Sequence, residues 1–198
     1  PETLRCRFHR TDAEVIDASC ELLNLLFDGM TDGPALLLEN LWEPGLTMTD
    51  PEMTARLLDG VRYANKGIML DTGHLMHTQP ALQNQRQALS YIHTVLDRHG
   101  ALCKAIRGVH LQQSITGRYM RRIAKNPPEL AADYSGRSYQ LFEYVFRVDQ
   151  HKPFTCAGVP ELIARIAPEY LTFEFISNDL PQLKRMLHRQ QNVFQKKI

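Results

Sequence analysis

Several short apolar runs of this sequence end in a side chain that can bind a metal ion. These side chains are His9, Glu39, Asp71, His110 and Glu174. Packing alone does not explain four or five separate runs that all end in Glu, Asp or His, because buried unpaired carboxylates are costly. Mixed carboxylate and imidazole ligands suit Mn, Zn, Fe or Mg. The pattern therefore predicts a divalent metal site.

Three further residues extend this candidate ligand set. His74 lies three residues after Asp71, and the pair Asp149 and His151 falls in a predicted loop. Each candidate also has an ordinary structural interpretation, since a histidine that ends a strand is often only hydrogen-bonded and Asp71 could form an Asx turn. The remaining histidines fit solvated helix or loop positions; they are His77, His93, His99 and His188.

The elements that must position these side chains are alternating strands and helices. The apolar runs predict strands near residues 4–9, 35–40, 67–71, 105–111 and 171–175. Asp12 is predicted to cap a helix that runs to Leu26. Helical spacing predicts further helices over 51–61, 80–99, 139–148, 159–166 and from 179 onward. Residues 114–138 are predicted to be irregular. Strands that alternate with helices indicate a parallel sheet, whose strands end at one common edge.

Composition narrows the class of protein. Lys and Arg number 23 and Asp and Glu 22, so a net charge of +1 gives no field that draws the whole chain to nucleic acid. No apolar run is long enough to span a bilayer, and the first residues lack the apolar core of a signal peptide. The four cysteines have no CxxC spacing, which predicts a reducing, cytoplasmic setting. We expect one domain over residues 1–198, with no membrane partner and with homo-oligomer formation left open.

Five segments of the chain resemble the xylose-isomerase-like TIM-barrel superfamily, which includes sugar and sugar-phosphate isomerases and epimerases and endonuclease IV. The segments cover nearly the whole chain and are Leu38–Gly45, Gly67–His74, Gly108–Leu111, Val148–Phe154 and Phe173–Phe175. The resemblance implies an α/β fold, a (β/α)8 TIM barrel of which the chain supplies the last five strands and lacks the first three βα units.

The resemblance also implies a function and residue roles. It implies a divalent-metal-dependent isomerase or epimerase that acts on a sugar or sugar phosphate by proton transfer through a metal-stabilised enediolate. Glu39, Asp71, His110 and Glu174 would bind Mn, Zn or Mg, and Glu39 and Glu174 would remove and return the proton. His74 would bind a substrate oxygen.

Two alternatives stay open at this point. An endonuclease-IV-like zinc phosphodiesterase (AP endonuclease family 2) would also use His74, Asp149, His151 and His9 as ligands, although the chain lacks the Gly-rich stretch that follows the Asp-x-His pair in that branch. A partial barrel could instead serve as a non-catalytic binding module. Arg118 lies in a basic stretch that would bind a sugar phosphate or a nucleic-acid backbone, or would form a solvated loop.

Overall fold

The computed structural model describes residues 2–195, in which parallel strands alternate with helices. The strands are β1 (Leu36–Glu39), β2 (Lys66–Asp71), β3 (Ile106–His110) and β4 (Tyr170–Thr172). The helices are α1 (Glu2–Arg5), α2 (Asp12–Leu26), α3 (Pro51–Gly60), α4 (Thr72–His77), α5 (Gln85–His99), α6 (Gly117–Lys125), α7 (Tyr134–Val148), α8 (Val159–Ile166) and α9 (Leu180–Gln195). A 3-10 helix, Gly100–Ala105, leads into β3.

The four strands form one sheet in the order β1-β2-β3-β4, and every neighbouring pair is parallel. This arrangement confirms the predicted α/β class with a parallel sheet. Because each strand lies beside the one that precedes it along the chain, every crossover moves in the same direction across the sheet. The carboxyl ends of all four strands therefore meet at one edge.

The register of the sheet decides which side chains share a face. Asp71 pairs with His110, so these two side chains project to the same side. Glu39 pairs with Met69, two residues before Asp71, and His110 pairs with Thr172, two residues before Glu174. Because side chains alternate with a period of two, the register predicts that all four candidate ligands emerge on one face.

The predicted first strand, residues 4–9, is wrong. Residues Glu2–Arg5 form helix α1, and Leu4 is buried against α6 and α7. Cys6 then adopts a positive φ of 49°, which ends any extended run. Three alternating apolar residues were too few to distinguish a strand from a single helical turn.

The helix predictions hold for α2, α3 and α8, and for α9 as far as Gln195, since residues 196–198 lie outside the described residues. Two other segments and the residue that caps α2 differ from expectation. The segment 114–138 contains α6 and the start of α7 and is not irregular throughout. The helix expected from residue 80 begins at Gln85, where the Asn84 side chain caps α5. Thr11, rather than Asp12, caps α2, because the Thr11 hydroxyl and the Glu14 carboxylate form a reciprocal capping box.

The core lies under the two central strands, and the two outer strands are less covered. Ile68 and Leu70 on β2 and Val109 on β3 are fully buried. Leu36–Leu38 on β1 are only partly buried, and all of β4 is exposed. Among residues 2–195, no helix is both long and apolar enough to cross a lipid bilayer.

Candidate metal centre

Four of the predicted ligands meet at the carboxyl edge of the sheet. Glu39, Asp71, His110 and Glu174 each offer one ligand atom, and these atoms all lie within 4.8 Å of one another. Glu39, Asp71 and His110 end β1, β2 and β3, and Glu174 lies two residues beyond β4. Such a group, called the acidic group below, has the ligand types and spacing to hold a divalent cation.

The imidazole of His110 lies where the three carboxylates converge. Its Nδ1 is 3.2 Å from Glu39 Oε1, 3.0 Å from Glu174 Oε2 and 4.0 Å from Asp71 Oδ2. Only the contact with Glu39 has the geometry of a hydrogen bond. One ring proton therefore serves only one of the three carboxylates, and neither Asp71 Oδ2 nor Glu174 Oε2 receives a hydrogen bond from His110.

Two carboxylate oxygens of the acidic group have no hydrogen-bond partner among the described residues. Asp71 Oδ2 and Glu174 Oε2 are both buried atoms, although the Glu174 side chain as a whole is 38% exposed. Burial raises the pKa of Asp71 to about 7, against the lowering effect of His74. Burial also acts to raise the pKa of Glu39, but the hydrogen bond from His110 and the charges of His110 and His74 lower it overall. An uncompensated carboxylate oxygen is the feature expected where a cation binds.

A second group lies beside the acidic group and is built around Asp149. His74, Asp149 and His151 also offer ligand atoms within 4.8 Å of one another, so this histidine group could hold a metal ion as well. Asp149 Oδ2 accepts hydrogen bonds from His151 Nε2 at 2.7 Å and from His74 Nε2 at 3.0 Å. Burial acts to raise the pKa of Asp149, but the hydrogen bonds from the surrounding histidines lower it well below its usual range.

His74 donates hydrogen bonds through both ring nitrogens. Nδ1 donates to the backbone oxygen of Asn40 at 2.9 Å, while Nε2 donates to Asp149. Because both partners are acceptors, the ring must carry two protons and a positive charge. Burial acts to lower the pKa of His74, but Asp149 and Asp71 raise it to about 9. The ring also lies 3.3 Å from Glu39 Oε1, so its charge acts on both groups.

Local structure fixes the side chains of both groups. Asp71 ends β2 and also caps α4, because its Oδ1 accepts a hydrogen bond from the backbone N–H of His74 at 2.7 Å. The buried Asn40 side chain pairs with the backbone N–H and C=O of Asp71, which ties the end of β1 to the end of β2. The Trp42 ring packs in a T-shaped arrangement against the rings of His74 and His77, at centroid distances of 5.1 and 4.8 Å.

The sequence analysis did not predict three residues of the site. Gln112 and Ser114 are buried; Gln112 donates a hydrogen bond to Asp149, whereas Ser114 Oγ and His77 Nε2 lie 3.3 and 3.4 Å from Asp149 Oδ1. His77 was expected to be solvated but is 3% exposed; His99, also expected to be solvated, is buried and bonded to Thr54. The spacing of His74 and His77, three residues apart on one helix, was the available signal for His77.

Two predicted site residues do not join either group. His9 follows α1 instead of ending a strand; its side chain is 89% exposed and contacts Glu2. Arg118 is exposed on α6, and no hydrogen bond joins it to either group. The structure brings the predicted pair Asp149 and His151 together through a direct hydrogen bond, and their role as metal ligands stays a prediction.

No protein-family model, curated protein or solved structure matches this chain.

Proposed function

We propose that the acidic group is the metal site of a divalent-metal-dependent isomerase or epimerase that acts on a sugar or sugar phosphate. The observation that carries this proposal is the pair of orphaned oxygens, Asp71 Oδ2 and Glu174 Oε2, beside an imidazole nitrogen and a third carboxylate. Three carboxylates and one imidazole suit Mn, Zn or Mg. Bound there, the cation would act as a Lewis acid that stabilises negative charge developing on substrate oxygens.

We assign Glu39 and Glu174 the roles of base and acid. Glu39 comes from the outer strand β1 and Glu174 from the chain just beyond the opposite outer strand, so they approach His110 from opposite ends of the sheet. Both side chains keep about a third of their surface exposed, which leaves them accessible to a small molecule. One carboxylate removes a proton from a substrate carbon and the other returns it.

His74 has a different role from the one the resemblance implies. Both of its ring nitrogens already donate hydrogen bonds, to Asn40 and Asp149, so neither is free for a substrate oxygen. We assign its positive charge the role of holding Glu39 ionised, since the two side chains are 3.3 Å apart. Arg118 receives no role.

The proposal includes a finer fold assignment. We propose that β1 to β4 are four adjacent strands of a xylose-isomerase-like (β/α)8 barrel. Parallel strands that lie side by side in sequence order support it, because this is the strand arrangement of such a barrel. In such barrels the reacting groups lie at the carboxyl ends of the strands, as the acidic group does.

A zinc phosphodiesterase is the second candidate, and the histidine group favours it. That group would add a second cation beside the first, and two close cations suit phosphodiester hydrolysis. One observation weighs against it: the Asp149 oxygens already accept hydrogen bonds from His74, His151 and Gln112, which a bound cation would have to displace.

The test is exchange of solvent deuterium into sugars. Protein incubated with Mn, Zn or Mg and a panel of aldoses, ketoses and their phosphates in D2O should label the carbon next to the carbonyl, which NMR detects. Glu174→Gln should abolish labelling, whereas Glu161→Gln, an exposed residue in the first turn of α8, should not. Hydrolysis of bis(p-nitrophenyl) phosphate without any labelling would favour the second candidate.

A further inference from the structure

A fully buried glutamine side chain lies between the acidic group and the histidine group. The Gln112 side-chain nitrogen donates to Asp71 Oδ1 and to Asp149 Oδ1, each at 3.0 Å. Gln112 is 0% exposed and follows the end of β3 by two residues. We propose that Gln112 is a positioning residue that aims the ligand oxygen of Asp71, and that Gly73 provides the space for it. This inference rests on the metal site of the proposed function.

The amide of Gln112 is saturated, so its orientation is fixed. Its two N–H bonds serve the two aspartates, and its Oε1 accepts a hydrogen bond from Ser114 Oγ at 2.9 Å. Ser114 Oγ in turn accepts the backbone N–H groups of Gln150 and His151. A flipped amide would set its oxygen against both carboxylates, so only one orientation satisfies every group.

This amide determines which oxygen of Asp71 is available to a cation. Oδ1 is held by two donors, the backbone N–H of His74 and the amide of Gln112. Oδ2 is left without a donor and lies 4.0 Å from His110 Nδ1, inside the acidic group. With both bonds on Oδ1, the carboxylate cannot rotate without breaking them. Hydrogen bonds to the part of a side chain that does not bind the metal orient metal ligands in this way.

Gly73 is required because of Gln112 and not because of its backbone conformation. A Cβ atom at Gly73 would lie 2.1 Å from the side-chain nitrogen and oxygen of Gln112 and 2.2 Å from its amide carbon. Gly73 has no positive φ, so an alanine would meet no backbone strain there. Any side chain at position 73 must therefore push the amide away from Asp71 and Asp149.

The first test compares two adjacent glutamines. Gln112→Met keeps the approximate volume and removes the donors, whereas Gln113 is a matched control because its backbone, not its side chain, pairs with Lys152. The affinity for Mn²⁺ alone, measured from the loss of the free-ion EPR signal, should fall about 10- to 100-fold in Gln112→Met. Gln113→Met should bind as the wild type does.

A purely structural role gives a different result. If Gln112 only stabilised the fold, Gln112→Met would lower the melting temperature while the folded protein kept wild-type Mn²⁺ affinity. That result would overturn the inference. The conservative variant Gln112→Glu should not rescue binding, because its carboxylate has no N–H to offer Asp71.

The second test is a double-mutant cycle with Gly73. Gly73→Ala should weaken Mn²⁺ binding in the wild type but have no further effect in a Gln112→Ala background, where the clash is absent. If Gly73→Ala alone does not fold, recovery of folding in the double variant supports the same coupling. An equal loss in both backgrounds, or failure to fold in both, contradicts it.

These outcomes separate the inference from the proposed function. Mn²⁺ binding by the wild type without isomerase activity would contradict the proposed function but not the role of Gln112. Wild-type binding that Gln112→Met does not change would remove the role of Gln112 and leave the function intact. A wild type that binds no Mn²⁺ would overturn the metal site on which both depend.

Discussion

The acidic group and the histidine group lie side by side, yet their charges are compensated in opposite ways. In the histidine group, the single carboxylate of Asp149 receives hydrogen bonds from His74, His151 and Gln112, among others. In the acidic group, three carboxylates share the one ring nitrogen of His110, and two buried oxygens have no partner. We therefore expect the first group to be stable without a metal ion, and we propose a cation for the second. Proximity of ligand atoms alone does not distinguish them, because both meet the same spacing criterion.

The largest effect on stability is expected in the histidine group. Asp149→Asn removes the negative charge that His74 and His151 face, and it leaves buried imidazoles poorly paired. Loss of one partner of a buried ion pair costs about 3–5 kcal/mol of unfolding free energy. Urea denaturation in metal-free buffer measures this, with the exposed Asp59→Asn as control. A loss no larger than the control's would mean that the histidine group is not a self-sufficient network.

Metal binding should stabilise the protein through the acidic group. A cation at 100 times its dissociation constant adds about 2.7 kcal/mol of unfolding free energy. Asp71→Asn should abolish this gain, because the amide cannot supply the anionic oxygen at Oδ2. Thermal denaturation with and without Mn²⁺ measures the gain. Stabilisation by Mn²⁺ that survives in Asp71→Asn would assign the cation to another place.

Without metal, Asp71→Asn should change the unfolding free energy in the opposite direction from Asp149→Asn. Asp71→Asn replaces the buried carboxylate, whose Oδ2 has no hydrogen-bond partner, and keeps the Oδ1 acceptor for His74 N and Gln112. We expect a gain on the order of 1 kcal/mol in metal-free protein. Denaturation of the metal-free variant tests this, and a loss comparable to that of Asp149→Asn would abolish the contrast between the two groups.

The smallest effect is expected at His9. Its side chain is almost fully exposed and lies outside both groups, so His9→Ala should change stability by less than about 0.5 kcal/mol. It should also leave Mn²⁺ affinity unchanged. A tenfold loss of affinity would restore His9 to the ligand set that the sequence predicted.

The acidic group could be predicted from the sequence because its members follow the ends of strand-forming apolar runs. Each follows an apolar run that forms or adjoins a strand, and parallel strands bring their carboxyl ends together without any knowledge of side-chain contacts. The four strands were predicted for the same reason. The false strand at residues 4–9 shows the limit of that signal, because a single turn of helix α1 also places apolar residues at short intervals.

The histidine group was predicted only in part, because buried hydrogen-bond networks leave no periodic trace. Gln112 and Ser114 are polar residues just beyond a strand, where an exposed loop is the ordinary expectation. Their burial results from the loop 149–152, which folds back and pairs Lys152 with Gln113. That contact joins residues far apart in the chain, so no local sequence pattern predicts it. The compensation of charge that separates the two groups is likewise visible only in three dimensions.

The location of a bound cation tests the central claim most directly. Crystals soaked in Mn²⁺ should show one anomalous scattering peak, within bonding distance of Glu39, Asp71, His110 and Glu174. A peak among His74, Asp149 and His151, with none in the acidic group, would contradict the assignment of the orphaned carboxylate oxygens as the metal site.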